Sequence, residues 1–117
     1  MTRSLAIIAE PTTPRYVIRS QLAARQGRFS PIYCIQETVA KACTEEGVHF
    51  VFLTEARTSV HAICTDSREP VIEVESAEDW IATNVDEILV ISKTTVLYQK
   101  VIEERLGRPV HGYTHSD

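Results

Sequence analysis

The sequence predicts an α/β protein, a doubly wound three-layer sandwich built on a mostly parallel five-stranded sheet. Three observations carry that reading. Short apolar runs alternate about five times with stretches of helical spacing, the pattern of a parallel sheet covered by helices on both faces. The run Gly47-Val48-His49-Phe50-Val51-Phe52-Leu53 is apolar at consecutive positions, as in a strand buried on both sides, and is expected to be the central strand. Helix punctuation falls between the runs: Pro14 and Ser76 at starts, Gly27, Gly47 and Gly107 at ends. The alternative is an α+β fold in which residues 50–65 form a central hairpin.

Taken in order, residues 4–9 form the first strand and Thr13 caps a helix with Pro14 in its first position, running to about Gln26. Ile18 with Leu22, and Val17 with Ala24, give that helix its inward stripe, leaving Arg15, Arg19 and Arg25 to solvent. Residues 29–35 make a second strand, placed at a sheet edge because Pro31 lacks an N–H for a ladder. A helix over residues 36–46 turns Val39, Ala42 and Cys43 inward. Beyond Thr54, Val60, Ile63 and Cys64 suit a helix while Val60, Ala62 and Cys64 suit a strand; the helix is the preferred reading. A short strand at 69–75 follows, then a helix begun by Ser76 and Asp79 and carrying Trp80 and Ile81. A strand at 85–91 leads to a last helix with Leu97 and Val101 four apart and Val96, Ile102 and Leu106 nearby. Residues 1–109 thus read as one domain and 110–117, without a period, as a tail or linker.

Composition narrows the function. A 117-residue chain with 44% hydrophobic and 24% charged residues is an ordinary single globular domain. Its net charge of −4 opposes a broad nucleic-acid surface, so direct nucleic-acid binding is not expected. No apolar run nears the roughly 18 residues that cross a bilayer, and no membrane association is expected. Three cysteines without a CxxC pair point to a reducing cytoplasm rather than a disulfide framework or structural zinc.

The usual five-stranded order sets the first strand beside the third and reverses the winding between them, and ligands bind at such a switch point. The expected crevice lies between Glu10, Thr12 and Thr13 on one side and Thr54, Glu55, Arg57, Thr58 and Ser59 on the other. Hydroxyls, a guanidinium and a helix start would suit a small carboxylate or phosphate there. The competing reading makes these residues caps and solvated loop. Ser92 and Lys93, after the last strand, complete the candidate set, and no metal, cofactor or catalytic residue is assigned. With glycines only at 27, 47, 107 and 112, neither GxGxxG nor a Walker loop is present.

A phosphoacceptor receiver would need an Asp where Thr54 stands, although Lys93 and, in part, Glu10 match its other positions. His61 and Cys64, three apart, are the basis of a minor reading as a small enzyme, against which Cys64 reads more simply as a packed thiol. Cys34 and Cys43 read as core, Trp80 and Tyr98 as packing residues, and Glu73 with Glu75 as a solvated edge. His111 and His115 have ligand spacing but no neighbouring carboxylate cluster.

Residues 36–79 resemble the N-terminal sensory domain of propionate-catabolism-type, sigma-54-dependent transcriptional activators. Glu45-Glu46-Gly47 closes a helix, a buried strand follows, and Pro70-Val71-Ile72-Glu73-Val74 is similar to the family's next strand; the opening Leu5-Ala6-Ile7-Ile8-Ala9 is similar too. Where the family has an Arg-Gly-Gly-Thr loop this chain has Glu55-Ala56-Arg57-Thr58. The resemblance implies a cytoplasmic, Rossmann-like or flavodoxin-like signal-sensing domain in transcription regulation. The expectation is therefore a non-enzymatic domain that binds a small anionic metabolite or passes a signal. The alternative is a pseudo-receiver-type assembly domain, a homodimer through the first or last helix or a partner of other regulatory domains.

Overall fold

In the computed structural model, which describes residues 3–55, 71–93 and 96–115, strands and helices alternate through most of the chain. They are β1 (Arg3–Ala9), α1 (Arg15–Ala24), β2 (Phe29–Cys34), α2 (Glu37–Glu46), β3 (Phe50–Glu55), β4 (Val71–Val74), α3 (Ala77–Asn84), β5 (Glu87–Lys93), α4 (Leu97–Leu106) and β6 (His111–His115). The strands form one sheet in the order β4-β3-β2-β1-β5-β6, every pair parallel. This is the expected α/β sandwich. Leu5, Ile7, Ala9, Phe50 and Phe52 pack beneath α1 and α2, whereas Ala6, Ile8, Val51, Leu53, Ile88 and Val90 pack beneath α3 and α4. Alternate residues of each strand thus feed opposite layers, as the two-residue repeat requires.

The strand order differs from the expected one. β2 is interior, paired with β1 and β3, and β1 lies between β2 and β5, so the winding reverses between β1 and β5. Pro31 is accommodated because the β1–β2 register shifts between Arg3 and Leu5, and regular pairing on both sides of β2 begins only at Ile32. A proline ahead of the regular ladder removes no bond from it. β3 is buried on both faces as expected but stands second from an edge, so the centre belongs to β1 and β2. The proposed helix or hairpin near residues 59–65 lies outside the described residues.

Residues 111–115, expected in an unpatterned tail, form the sixth strand, in register with Leu89–Lys93 of β5. Four of its five residues are exposed, which explains the missing hydrophobic period. His111 and His115 are four positions apart along an extended strand, about 13 Å, too far to share one ion. His111 instead approaches Glu87 at 3.1 Å.

Local signals were met unevenly. Ser76 accepts a hydrogen bond from the Asp79 N–H and caps α3, and Gly47 closes α2 in the left-handed region at φ 68°. Val39, Ala42 and Cys43 are buried, and so is Cys34. Thr13 does not cap α1; Pro14 holds the cap position and the Thr13 hydroxyl donates back to the Glu10 carbonyl at 2.6 Å. Ala24 is exposed, and Gln21 takes the remaining inward position, bound by the Arg25 guanidinium at 2.7 Å. Arg25 is therefore partly buried rather than free in solvent, and that burial lowers its pKa. Of the apolar residues expected on the last helix, Ile102 and Leu106 are buried, whereas Leu97 and Val101 are 67% and 47% exposed. Tyr98, Ile102 and Leu106 recur every four residues and form the longer apolar stripe.

Candidate functional site

The carboxyl ends of β1 and β5 meet at the point where the winding reverses, so Glu10 faces Ser92 and Lys93. Glu10 fastens the two strands: its N–H donates to the Ile91 carbonyl at 2.8 Å, and its carboxylate accepts from the Lys93 N–H at 2.8 Å. Its own carbonyl accepts from the Thr13 N–H and hydroxyl. Thr12 is held at φ 78°, a left-handed conformation that costs a β-branched residue roughly 1–2 kcal/mol. Strain of this kind persists only where surrounding bonds impose it.

Gln36, unremarked as a site residue in the sequence, closes the other side of β1. Its side-chain oxygen accepts from the Ala9 N–H at 2.8 Å and its amide donates to the Ala9 carbonyl at 2.6 Å. The side chain continues the β1–β2 ladder one step past Cys34. The Tyr98 hydroxyl reaches the same carbonyl at 3.5 Å.

Beside this clasp, between α3 and α4, is a cavity of about 110 Å³. Ile8, Ile35, Ile102 and Leu106 line its apolar part; Gln36, Tyr98, Glu78 and Arg105 supply the polar groups. Arg105 and Glu78 form an ion pair joining α4 to α3. Burial raises the Tyr98 pKa, with nearby Arg105 acting in the opposite direction, so the phenol stays protonated and can donate. The cavity offers an apolar floor, a neutral donor and a guanidinium, a set suited to a small ligand with one anionic end. Tyr98 could have been noticed from its four-residue spacing to Ile102; no sequence signal marked Gln36 or paired Arg105 with Glu78.

Thr54 and Glu55, at the end of β3, are not opposite Glu10, because β2 lies between β1 and β3. Glu55 is occupied in structure: its carboxylate accepts from the Ala77 N–H at 3.0 Å, at the start of α3, where the helix dipole favours negative charge. Thr54 is 5% exposed and Ser92 fully buried, and neither hydroxyl finds a partner among the described residues. A buried unmatched hydroxyl costs roughly 1–3 kcal/mol. Lys93 is exposed at the open end of β5. Arg57, Thr58, Ser59, His61 and Cys64 lie outside the described residues. No group of three or more metal-ligating side chains gathers among the described residues.

These features define a doubly wound α/β protein, its sheet parallel throughout the described residues, with a small polar-rimmed cavity at the carboxyl edge of that sheet. No helix among the described residues is long and apolar enough to cross a membrane. Comparisons with protein-family models, curated proteins and solved structures find no match.

Proposed function

We propose that the chain is a non-catalytic regulatory domain that binds a small anionic metabolite at the carboxyl edge of the sheet. One observation carries the reading: the cavity between α3 and α4 combines an apolar floor with the Tyr98 hydroxyl and the Arg105 guanidinium. Its volume of about 110 Å³ is well below that of drug-sized sites, roughly 300–1,000 Å³, which limits the ligand to a few heavy atoms. The ligand's carboxylate or phosphate would replace Glu78 as the partner of Arg105, an exchange of one anion for another. A role in cytoplasmic transcriptional regulation rests on the resemblance of residues 36–79 and on the cysteine usage, and is part of the same proposal.

Thermal-shift measurements against a panel of small carboxylates and phosphates test it. At least one should raise the melting temperature, with about 2.7 kcal/mol of stabilisation at a concentration 100 times its Kd. Arg105→Ala should abolish that shift. Glu78→Gln should enlarge it, because the internal competitor is gone. Absence of any shift, or equal shifts in wild type and both variants, would remove the cavity as the binding site.

A further inference from the structure

Among the described residues the sheet has two edges, and they differ in what they present. β4 is four residues long; its exposed Glu73 is followed by exposed Glu75, so two copies meeting there would oppose carboxylates. Inward-looking or edge charges of this kind discourage strand addition. β6 is His-Gly-Tyr-Thr-His, with no carboxylate, lysine or proline and an unbroken register against β5. No described residue pairs with its outer side. Open N–H and C=O groups on such an edge are a template for another strand.

The surroundings of β6 also suit contact. Tyr113 is exposed on the strand itself. On the helix side, Gln99 of α4 packs so closely over Gly112 that a Cβ there would collide with its amide. Val96, the N-cap residue of α4, is also exposed. The edge strand thus carries an exposed aromatic ring and no Asp, Glu, Lys or Arg, in a chain whose net charge of −4 would otherwise keep copies apart.

We infer that the outer edge of β6 pairs antiparallel with β6 of a second copy of this chain, about a two-fold axis through Tyr113 and normal to the sheet. A closed two-fold contact must be self-complementary. Here Tyr113 meets its own counterpart, Gly112 meets Thr114, and His111 meets His115, so no carboxylate is set against a carboxylate and no lysine or arginine against another. The axis keeps both α4 helices on one face. The two sheets become one.

Sedimentation of the full chain over a dilution series is the test. A concentration-dependent dimer is expected, with Tyr113→Lys raising its dissociation constant by about tenfold or more. Ile72→Lys, on the β4 edge, should leave it unchanged. Tyr113→Cys should give a disulfide-linked dimer when diamide oxidises the two thiols, because the axis sets position 113 beside itself; Ile72→Cys and wild type should not. A chain that stays monomeric throughout the series overturns the inference. So does a dimer that is insensitive to Tyr113→Lys and forms no cross-link at position 113.

Discussion

The two faces of the sheet are built differently, and the difference separates what holds the fold from what can bind. Under α1 and α2 the layer is filled by Val17, Ile18, Leu22, Val39, Ala40, Ala42 and Cys43, whose small members let helix and sheet approach closely. Under α3 and α4, Ile81, Ile102 and Leu106 do the packing, but part of the space between the helices is spanned by Arg105 and Glu78 and left as a cavity. Complete apolar packing leaves no room for a ligand. Long polar side chains that bridge two helices can leave a space whose walls already carry the groups to recognise one.

Paired core substitutions should expose this contrast most strongly. Ile18→Ala, in the filled layer, should cost about 3–5 kcal/mol in urea unfolding, since each lost methyl leaves neighbours without partners. Ile102→Ala should cost about 2 kcal/mol, near the low end of the range, because Ile102 already borders empty space. Equal losses at the two positions would mean that the faces are packed alike.

The next effect concerns the clasp between the two regions. Gln36→Ala should destabilise by about 1–3 kcal/mol, because it leaves the Ala9 N–H and carbonyl without their side-chain partner. Faster amide exchange at Ala9, relative to Ile7, would be its local signature. A variant as stable as wild type, with unchanged protection, would show that the clasp is incidental.

Much of this arrangement was legible in the sequence, and the parts that were not share physical causes. The strands over Leu5–Ala9 and Phe50–Leu53 stood out because burial on both faces demands unbroken apolar runs. Ser76 and Gly47 marked helix ends because their chemistry is local. Strand order is not local: β1 and β2 are both interior, and Pro31 suggested an edge although a register shift takes it out of the ladder. β6 was missed because an exposed edge needs no apolar pattern. In α4 two apolar pairs, Leu97 with Val101 and Tyr98 with Ile102, differ by one residue and hence by about 100° of rotation; the continuation to Leu106 decides between them. Of the candidate site, Glu10, Ser92 and Lys93 do converge, whereas Glu55 is a helix partner and Thr54 belongs to another part of the edge. Gln36 gave no signal because a side chain replacing backbone bonds has no sequence period.

A smaller effect lies at the opposite end of β1, far from the cavity. The Ser4 N–H donates to Asp86 at 2.8 Å and its hydroxyl at 3.1 Å, and these bonds, the backbone one foremost, hold the Asp86 carboxyl below its usual value. A depressed folded pKa contributes stability that is complete above the unfolded value of about 3.9 and is lost as pH falls through the folded value. Asp86→Asn should therefore flatten the acid limb of the stability profile below about pH 4 and leave ligand binding unchanged. An unaltered acid limb would remove Asp86 from the account.

The most direct test of the central claim is a heteronuclear NMR titration with whichever small anion gives the largest thermal shift. With the anion in the cavity, the Gln36 side-chain amide, the Ala9 amide, the Tyr98 ring and the Arg105 Nε–H should move together along one saturable curve, and Arg105→Ala should abolish the response. Saturable shifts confined to other residues, with these four groups unmoved, would contradict it.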